Sequence, residues 1–262
     1  MDRNLLTISA PVSEQNSEEY SGENKKQSAI KFSWRMFISL AVYLVLIPLV
    51  IFVGVKLFED RKYNIISMVI AFLACVPFFI GFEKGKTGAR ELVVIAVMTA
   101  ISVVGRLIFA PIPGFKPVTA VVIITAIAYG MQAGFLTGAM SAIVSNIFYG
   151  QGPWTPFQMF VWGFLGLLAG LLFKRGKNPN TVMLVVIGVI GGVLFSVMMD
   201  IWSVLNMDGT WNWSRYYAFL LSSLPFMAIY ALSNVVFLLI LTKPFLEKLN
   251  RIKDKYGLFS MK

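Results

Sequence analysis

The chain has 262 residues, of which 57% are hydrophobic and only 14% are charged. Soluble domains carry about a quarter charged residues, so this composition excludes an ordinary soluble protein and predicts an integral membrane protein. The formal net charge of +10 would suggest nucleic-acid binding in a soluble protein, but basic residues that flank membrane spans on the cytoplasmic side explain it better here.

Few residue types that support enzyme chemistry are present. The single cysteine, Cys75, lies inside an apolar run, and the chain contains no histidine. A disulfide framework and a thiolate metal site are therefore excluded, and the commonest metal ligand and general base is missing. No Ser-His-Asp set, HExxH motif or carboxylate pair is present. We expect no catalytic residues, no metal and no cofactor.

Apolar segments follow a polar N-terminal stretch in chain order. Residues 1–33 are rich in Ser, Glu and Asn, which predicts a disordered cytoplasmic tail. The eight apolar segments are predicted at Met36–Phe58, Ile65–Phe82, Glu91–Phe109, Val118 to about Tyr129, a fifth ending at Phe148, Pro156–Phe173, Val182–Leu205 and Tyr216–Leu241. They predict an all-α membrane protein with about eight transmembrane helices.

The uncharged stretch Val118–Phe173 has to fold back on itself. One helix from Val118 to Phe148 would be about 46 Å long, against a hydrocarbon core of about 30 Å. We place the break at Tyr129–Gly134, which contains two glycines.

Lys and Arg are most frequent in alternate loops and at the C-terminus. With the N-terminus inside, Glu83–Arg90, Lys174–Lys177 and the basic C-terminal tail all face the cytoplasm, as the positive-inside rule requires. Both termini are then cytoplasmic, in a multi-pass protein of the cell membrane. The loops after segments three, five and seven face outward together.

An uncharged loop, Gly150–Pro156, joins segments five and six. Its two glycines and two prolines predict that no helix crosses it. Asn146 and Gln158 flank the loop, so one pocket could hold both. A membrane anchor is the alternative, because Trp and Tyr favour the membrane interface.

Two other features each have two interpretations. Asp200, an acid inside segment seven, either forms an ion pair with Arg106 or contacts a ligand. Ala96 and Ala100 form a small-xxx-small pair, which either packs inside the protein or docks another membrane protein. The Gly-xxx-Gly repeats in later segments are best explained by close internal helix packing.

From Ala89-Arg90-Glu91-Leu92 and Ala96-xxx-Ala100, through Phe115-Lys116-Pro117, to Gly150–Pro156, the chain resembles a substrate-specific (S) component of an energy-coupling factor (ECF) transporter. The resemblance implies a six-helix core at 87–243, two additional N-terminal helices at 34–86 and a basic cytoplasmic tail at 244–262. It also implies a transport subunit without ATPase activity, which works with a transmembrane coupling (T) subunit and two cytoplasmic ATPases.

The implied function is capture of a vitamin or related micronutrient at the outer face for ATP-driven uptake. Overall similarity favours cobalamin or a corrinoid, followed by riboflavin or another ring vitamin. The expected site residues are aromatic side chains that stack on the substrate and polar ones that orient it: Phe115, Tyr149, Trp154, Trp211 and Trp213, then Lys116, Asn146, Gln151, Gln158 and Asp200. Ala96 and Ala100 match the family's Ala-xxx-Ala signature and would dock the coupling subunit.

Two other classes of protein are alternatives. A self-sufficient secondary transporter or channel needs ionisable residues along its pathway, whereas only Arg106 and Asp200 qualify, both near the outer side. A structural membrane protein without a ligand is compatible with the glycine packing.

Overall fold

A computed structural model describes most of the chain. The residues described are 34–58, 69–70, 73, 76–77, 89–152, 154–208 and 211–258. Internal contacts divide the chain into a short unit, Met1–Phe37, and a large unit, Ile38–Lys262. In the short unit, the described residues are the first four of an N-terminal helix. The described parts of the chain contain helices and turns and no strand, which confirms the predicted all-α class.

The N-terminal helix consists of α1, Trp34–Ala41, a π-helical turn, Val42–Leu46, and α2, Ile47–Phe58. Pro48 has no N–H to donate to the carbonyl of Leu44, so the regular hydrogen-bond pattern cannot run through this point. The wider turn lies directly before the proline, where such a rearrangement is needed. This helix corresponds to the first predicted segment.

Six further helices follow, with predicted and observed elements in the same order. Their bounds are α3, Ala89–Ile108; α4, Val118–Tyr129; α5, Met131–Tyr149; α6, Trp154–Leu172; α7, Thr181–Asp208; and α8, Trp213–Tyr256. Within the described residues, five helices are long and apolar enough to cross a membrane: α3, α5, α6, α7 and α8. The total of eight spans stays a prediction, because most of the second predicted segment, Ile65–Phe82, lies outside the described residues.

Helix α4 is the centre of the large unit. All of its 12 residues are buried, which fits a helix that is apolar on every side. At about 1.5 Å per residue it is about 18 Å long, too short to cross a membrane core of about 30 Å. It ends at Gly130, whose φ of 97° is a conformation that favours glycine. The predicted break at Tyr129–Gly134 therefore coincides with the observed end of α4.

Glycines allow α5 and α6 to pack backbone against backbone. A Cβ added to Gly134 would lie 2.9 Å from the carbonyl oxygen of Gly166, and one added to Gly138 would lie 2.7 Å from the backbone nitrogen of Gly163. Close contact through small residues is a common way for helices to associate in lipid. The interpretation of these glycines as packing positions agrees with the structure.

Two predicted boundaries are wrong. Helix α6 begins at Trp154, inside the stretch predicted to be non-helical; Pro156 is tolerated because the first turn of a helix does not need its N–H groups for internal bonds. Helix α8 continues to Tyr256 and passes through Pro225 and Pro244, instead of ending near Leu241.

Candidate functional site

The ends of α3, α5 and α7 and the starts of α4, α6 and α8 lie at one end of the large unit, which we call the tryptophan end. It carries Trp154, Trp211 and Trp213. The opposite end, which we call the basic end, carries the α6–α7 loop with Lys174, Arg175 and Lys177. At the basic end Gly176 donates its N–H to the Ile127 carbonyl, which fixes this loop against α4.

A buried polar network joins three helices at the tryptophan end. The side chain of Asn146, on α5, is fully buried. Its amide N–H groups donate to Thr155 Oγ1 at 2.9 Å and to Gln158 Oε1 at 3.0 Å, both on α6. Its carbonyl oxygen accepts from Arg106 Nη1, on α3, at 2.9 Å. Asn146 and Gln158, which flank the loop in sequence, are thus in direct contact.

The Arg106 guanidinium is the hub of this network. It also donates to the Ser145 hydroxyl, on α5. Its Cζ lies 4.4 Å from the centre of the Tyr149 ring and 5.2 Å from that of Trp162. The Tyr149 hydroxyl in turn donates to the Arg106 carbonyl at 2.9 Å. Cation–π contacts and hydrogen bonds therefore fix the side chain in one position.

Lys116 is directed into the same region by a fixed loop. Its backbone N–H donates to Ser233 Oγ, on α8, at 2.8 Å, and the Ser233 hydroxyl donates back to the Lys116 carbonyl at 3.0 Å. The Lys116 ammonium lies over three rings, with Nζ 4.8 Å from the centre of Tyr230, 5.2 Å from Phe195 and 5.6 Å from Trp162. Burial, and secondarily the charge of Arg106, lower the pKa of this loop lysine from 10.5 to about 7.

The Gly150–Pro156 turn is stabilised by its own side chains. Gly150 has a φ of 93°. Gln151 Nε2 donates to the Ile143 carbonyl at 2.8 Å, and the Thr155 N–H donates to the Gly152 carbonyl at 2.9 Å. The Trp154 ring meets Trp202 edge to face at 6.1 Å. Gln151, which was predicted to contact substrate, thus uses its amide N–H to stabilise the turn. Trp154 and Gln158 are four residues apart on α6 and lie on the same face of that helix.

Asp200 and Arg106 do not form the ion pair that the sequence offered as one alternative. Asp200 Oδ2 accepts from the Ser223 hydroxyl, on α8, at 2.8 Å. The one ion pair among the residues described here joins Arg215 to Asp208, at 2.7 Å. The same set of residues contains no cluster of acidic or thiol side chains that could hold a metal ion.

The other predicted aromatic residues are not part of this network. Phe115 packs inward against Phe109 and Phe237, with ring centres 5.8 Å and 5.0 Å away, although it is adjacent to Lys116. Trp211 and Trp213 are exposed and pack on each other, edge to face at 5.0 Å. These three side chains are therefore held by neighbours other than Arg106 and Lys116.

The sequence did not single out several residues of the site: Ser145, Thr155, Trp162, Phe195 and Tyr230. Ser145 and Thr155 are next to predicted site residues or inside the predicted loop, which is the signal that could have found them. Trp162 and Phe195 are buried in apolar runs and have the pattern of ordinary core residues, so no sequence signal separates them from the core.

Ala96 and Ala100 lie on the exposed face of α3, together with Leu92, Val93 and Val97. Neither alanine is packed inside the large unit. Internal packing, one of their two interpretations, is therefore wrong within the described residues, and a lipid or partner contact remains.

Comparison with known proteins gives the family. Residues 86–251 match the family model described as ECF-type riboflavin transporter, S component. A UPF0397 protein of Aliivibrio fischeri (strain MJ11) is 34% identical over 95 residues, which are 34% of this chain and 51% of that protein. A UPF0397 protein of Vibrio atlanticus (strain LGP32) is 32% identical over 95 residues, 34% of this chain and 52% of that protein.

The matched region spans about half the length of these curated relatives. No solved structure matches the chain. The family model covers more than half of the chain and the same region as the site helices. The resemblance seen in the sequence is confirmed: the chain belongs to the family of ECF-type riboflavin transporter S components, which are membrane transport subunits and not enzymes.

Proposed function

We propose that this chain is the subunit that binds a vitamin or related ring-containing micronutrient at the tryptophan end and delivers it for ATP-driven uptake. The observation that carries the proposal is the network of Arg106, Asn146 and Gln158. Three polar side chains from α3, α5 and α6 meet there, next to the rings of Tyr149 and Trp162. Binding sites for small organic molecules combine apolar walls with a few convergent polar groups in this way.

The substrate is proposed from two sources that differ. The matched family is named for riboflavin, whereas overall sequence similarity favours cobalamin or a corrinoid. Both are ring systems that Tyr149 and Trp154 could stack against. Riboflavin and cobalamin are therefore the first two molecules to test.

The proposed arrangement in the membrane follows the basic residues. We place the basic end and both termini in the cytoplasm and the tryptophan end outside. The core at 87–243 and two N-terminal helices at 34–86 would give eight helices in the membrane, of which α4 is too short to cross it, with 1–33 and 244–262 as cytoplasmic tails.

The proposed partners are a transmembrane coupling subunit and two cytoplasmic ATPases. The exposed face of α3 with Ala96 and Ala100 supports a docking role, because small side chains let a partner helix approach closely in lipid. ATP would be hydrolysed by the partners, since the chain itself has no nucleotide-binding motif.

Titration of the purified full chain tests this function. Riboflavin or cobalamin should bind, and Asn146→Leu should weaken binding by at least about tenfold, because Arg106 and Gln158 lose the buried partner that positions them. The matched control is Asn234→Leu. Asn234 is also buried and donates to the Gly188 carbonyl at 3.2 Å, but it contacts neither Arg106 nor Gln158. Equal affinity in the two variants would show that the network is structural only.

A further inference from the structure

Two cations meet at one indole ring. Arg106 Cζ lies 5.2 Å and Lys116 Nζ lies 5.6 Å from the centre of the Trp162 ring. Like charges this close repel each other, and the effect is stronger where water is scarce. Trp162 is fully buried and Lys116 is half-buried, so water screens this pair incompletely. Such an arrangement is unfavourable unless something of opposite charge joins it.

No carboxylate of the described residues balances these cations. Asp200 bonds to Ser223 and Asp208 pairs with Arg215. The remaining described acids lie toward the basic end, at the start of α3 and in the last turns of α8: Glu91, Glu247 and Asp254. Buried or half-buried charges are normally paired, and the residues that the structure describes supply no carboxylate here.

The unused hydrogen-bonding groups around the cations include several donors. Lys116 Nζ makes no hydrogen bond with any described residue, and the buried indole N–H groups of Trp162 and Trp202 have no acceptor. Two nearby acceptors are occupied, since Asn146 Oδ1 accepts from Arg106 and Gln158 Oε1 accepts from Asn146, whereas Gln151 Oε1 and the Ser196 hydroxyl are buried without a partner among the described residues. An ammonium and an indole N–H can only donate, so a molecule that pairs with these groups has to present acceptors.

We propose that the molecule bound at the tryptophan end carries an oxyanion, a carboxylate or phosphate group, held between Arg106 and Lys116 beside Trp162. This rests on the proposed function and narrows its substrate class. The uncharged Gly150–Pro156 loop by itself gives no sign of an anionic ligand. The loop supplies apolar and amide contacts, whereas the charge comes from α3 and from the α3–α4 connection.

Matched vitamin pairs test the proposal on the purified full chain. Each pair has one anionic and one neutral member: riboflavin 5′-phosphate and riboflavin, biotin and biotinamide, nicotinate and nicotinamide, pantothenate and pantothenol. Inorganic phosphate and acetate, with chloride as reference at equal ionic strength, probe the anion site alone through the melting temperature. The variants are Lys116→Gln and Arg106→Gln, with Lys177→Gln, an exposed lysine of the basic end, as control.

The expected result is that the anionic member of at least one pair binds at least tenfold more tightly than its neutral partner. Lys116→Gln and Arg106→Gln should each remove most of this preference, while Lys177→Gln keeps it. Phosphate-bearing and carboxylate-bearing pairs then tell which oxyanion is preferred. Stabilisation by phosphate or acetate that Lys116→Gln abolishes also supports the site, even if none of these vitamins binds.

Other outcomes contradict the inference. If neutral members bind as tightly as anionic ones, or if the preference survives both site variants, the oxyanion site is wrong while the proposed function stands. If no vitamin binds, cobalamin included, and no inorganic anion stabilises the wild-type chain more than Lys116→Gln, the proposed function and the oxyanion site fail together.

Discussion

Replacing Lys116 with methionine should stabilise the folded protein, although it should harm binding. Methionine has a similar length and no charge, so its end can lie over Tyr230, Phe195 and Trp162, where the lysine ammonium lies. A pKa lowered from 10.5 to about 7 corresponds to about 5 kcal/mol by which folding disfavours the charged ammonium. The three cation–π contacts offset about 0.5–1 kcal/mol each, which leaves a net cost of at least about 2 kcal/mol.

The measurement is the melting temperature of the full chain in detergent, followed by intrinsic fluorescence. At pH 7, about 2 kcal/mol corresponds to an increase of about 4–8 °C for a chain of this size. Lys177→Met, at an exposed position of the basic end, should change the melting temperature little. A lower melting temperature for Lys116→Met would refute the reasoning, because the lysine would then be a net stabilising residue.

The same substitution has a signature in pH. The pKa of Lys116 is lower in the folded protein, about 7, than in the unfolded chain, 10.5, so between these values the unfolded chain binds more protons. Wild-type stability should therefore rise as pH increases from about 7 toward 10 and level off below pH 7. Lys116→Met should lack this rise relative to wild type.

Three further predictions concern orientation, docking and packing. In a cysteine-free background, an impermeant thiol reagent should label Ser214→Cys and not Asn178→Cys in intact cells; the reverse would overturn the proposed orientation. The double variant Ala96→Trp and Ala100→Trp should keep vitamin binding but lose co-purification with the coupling subunit; normal assembly and uptake would exclude docking at this face. Gly138→Ala should lower stability by about 1–3 kcal/mol, because the added Cβ meets the backbone of α6; an unchanged melting temperature would show that α5 and α6 can move apart freely.

The order and type of the helices could be predicted because each depends on local sequence. Apolar runs set the helices, and Gly130 sets the break between α4 and α5 since a φ of 97° favours glycine. The prediction that no helix crosses Gly150–Pro156 was wrong from Trp154 onward. It took proline as a helix breaker, although proline is tolerated in the first turn of a helix. The predicted end of α8 near Leu241 was wrong, because the helix continues through Pro244 and the basic residues that follow it.

The site could be predicted only in part. Asn146 and Gln158 were identifiable because polar side chains on each side of one short turn have to come close together. The approach of Lys116 to Trp162 depends on the Ser233 contact, which joins residues 117 positions apart. Phe115 and Lys116 are adjacent in sequence and belong to different surroundings, so composition cannot tell which one faces the site. Such long-range contacts bring the positive charge of Lys116 to the site.

Small-molecule mass spectrometry of the purified full chain, after exposure to a cell extract, tests the central claim most directly. The account predicts that wild-type protein and Asn234→Leu release one small organic molecule in amounts close to one per chain, and that Asn146→Leu does not. Wild-type protein that releases nothing, or an Asn146→Leu variant that retains as much as wild type, would contradict a binding site built on Arg106, Asn146 and Gln158.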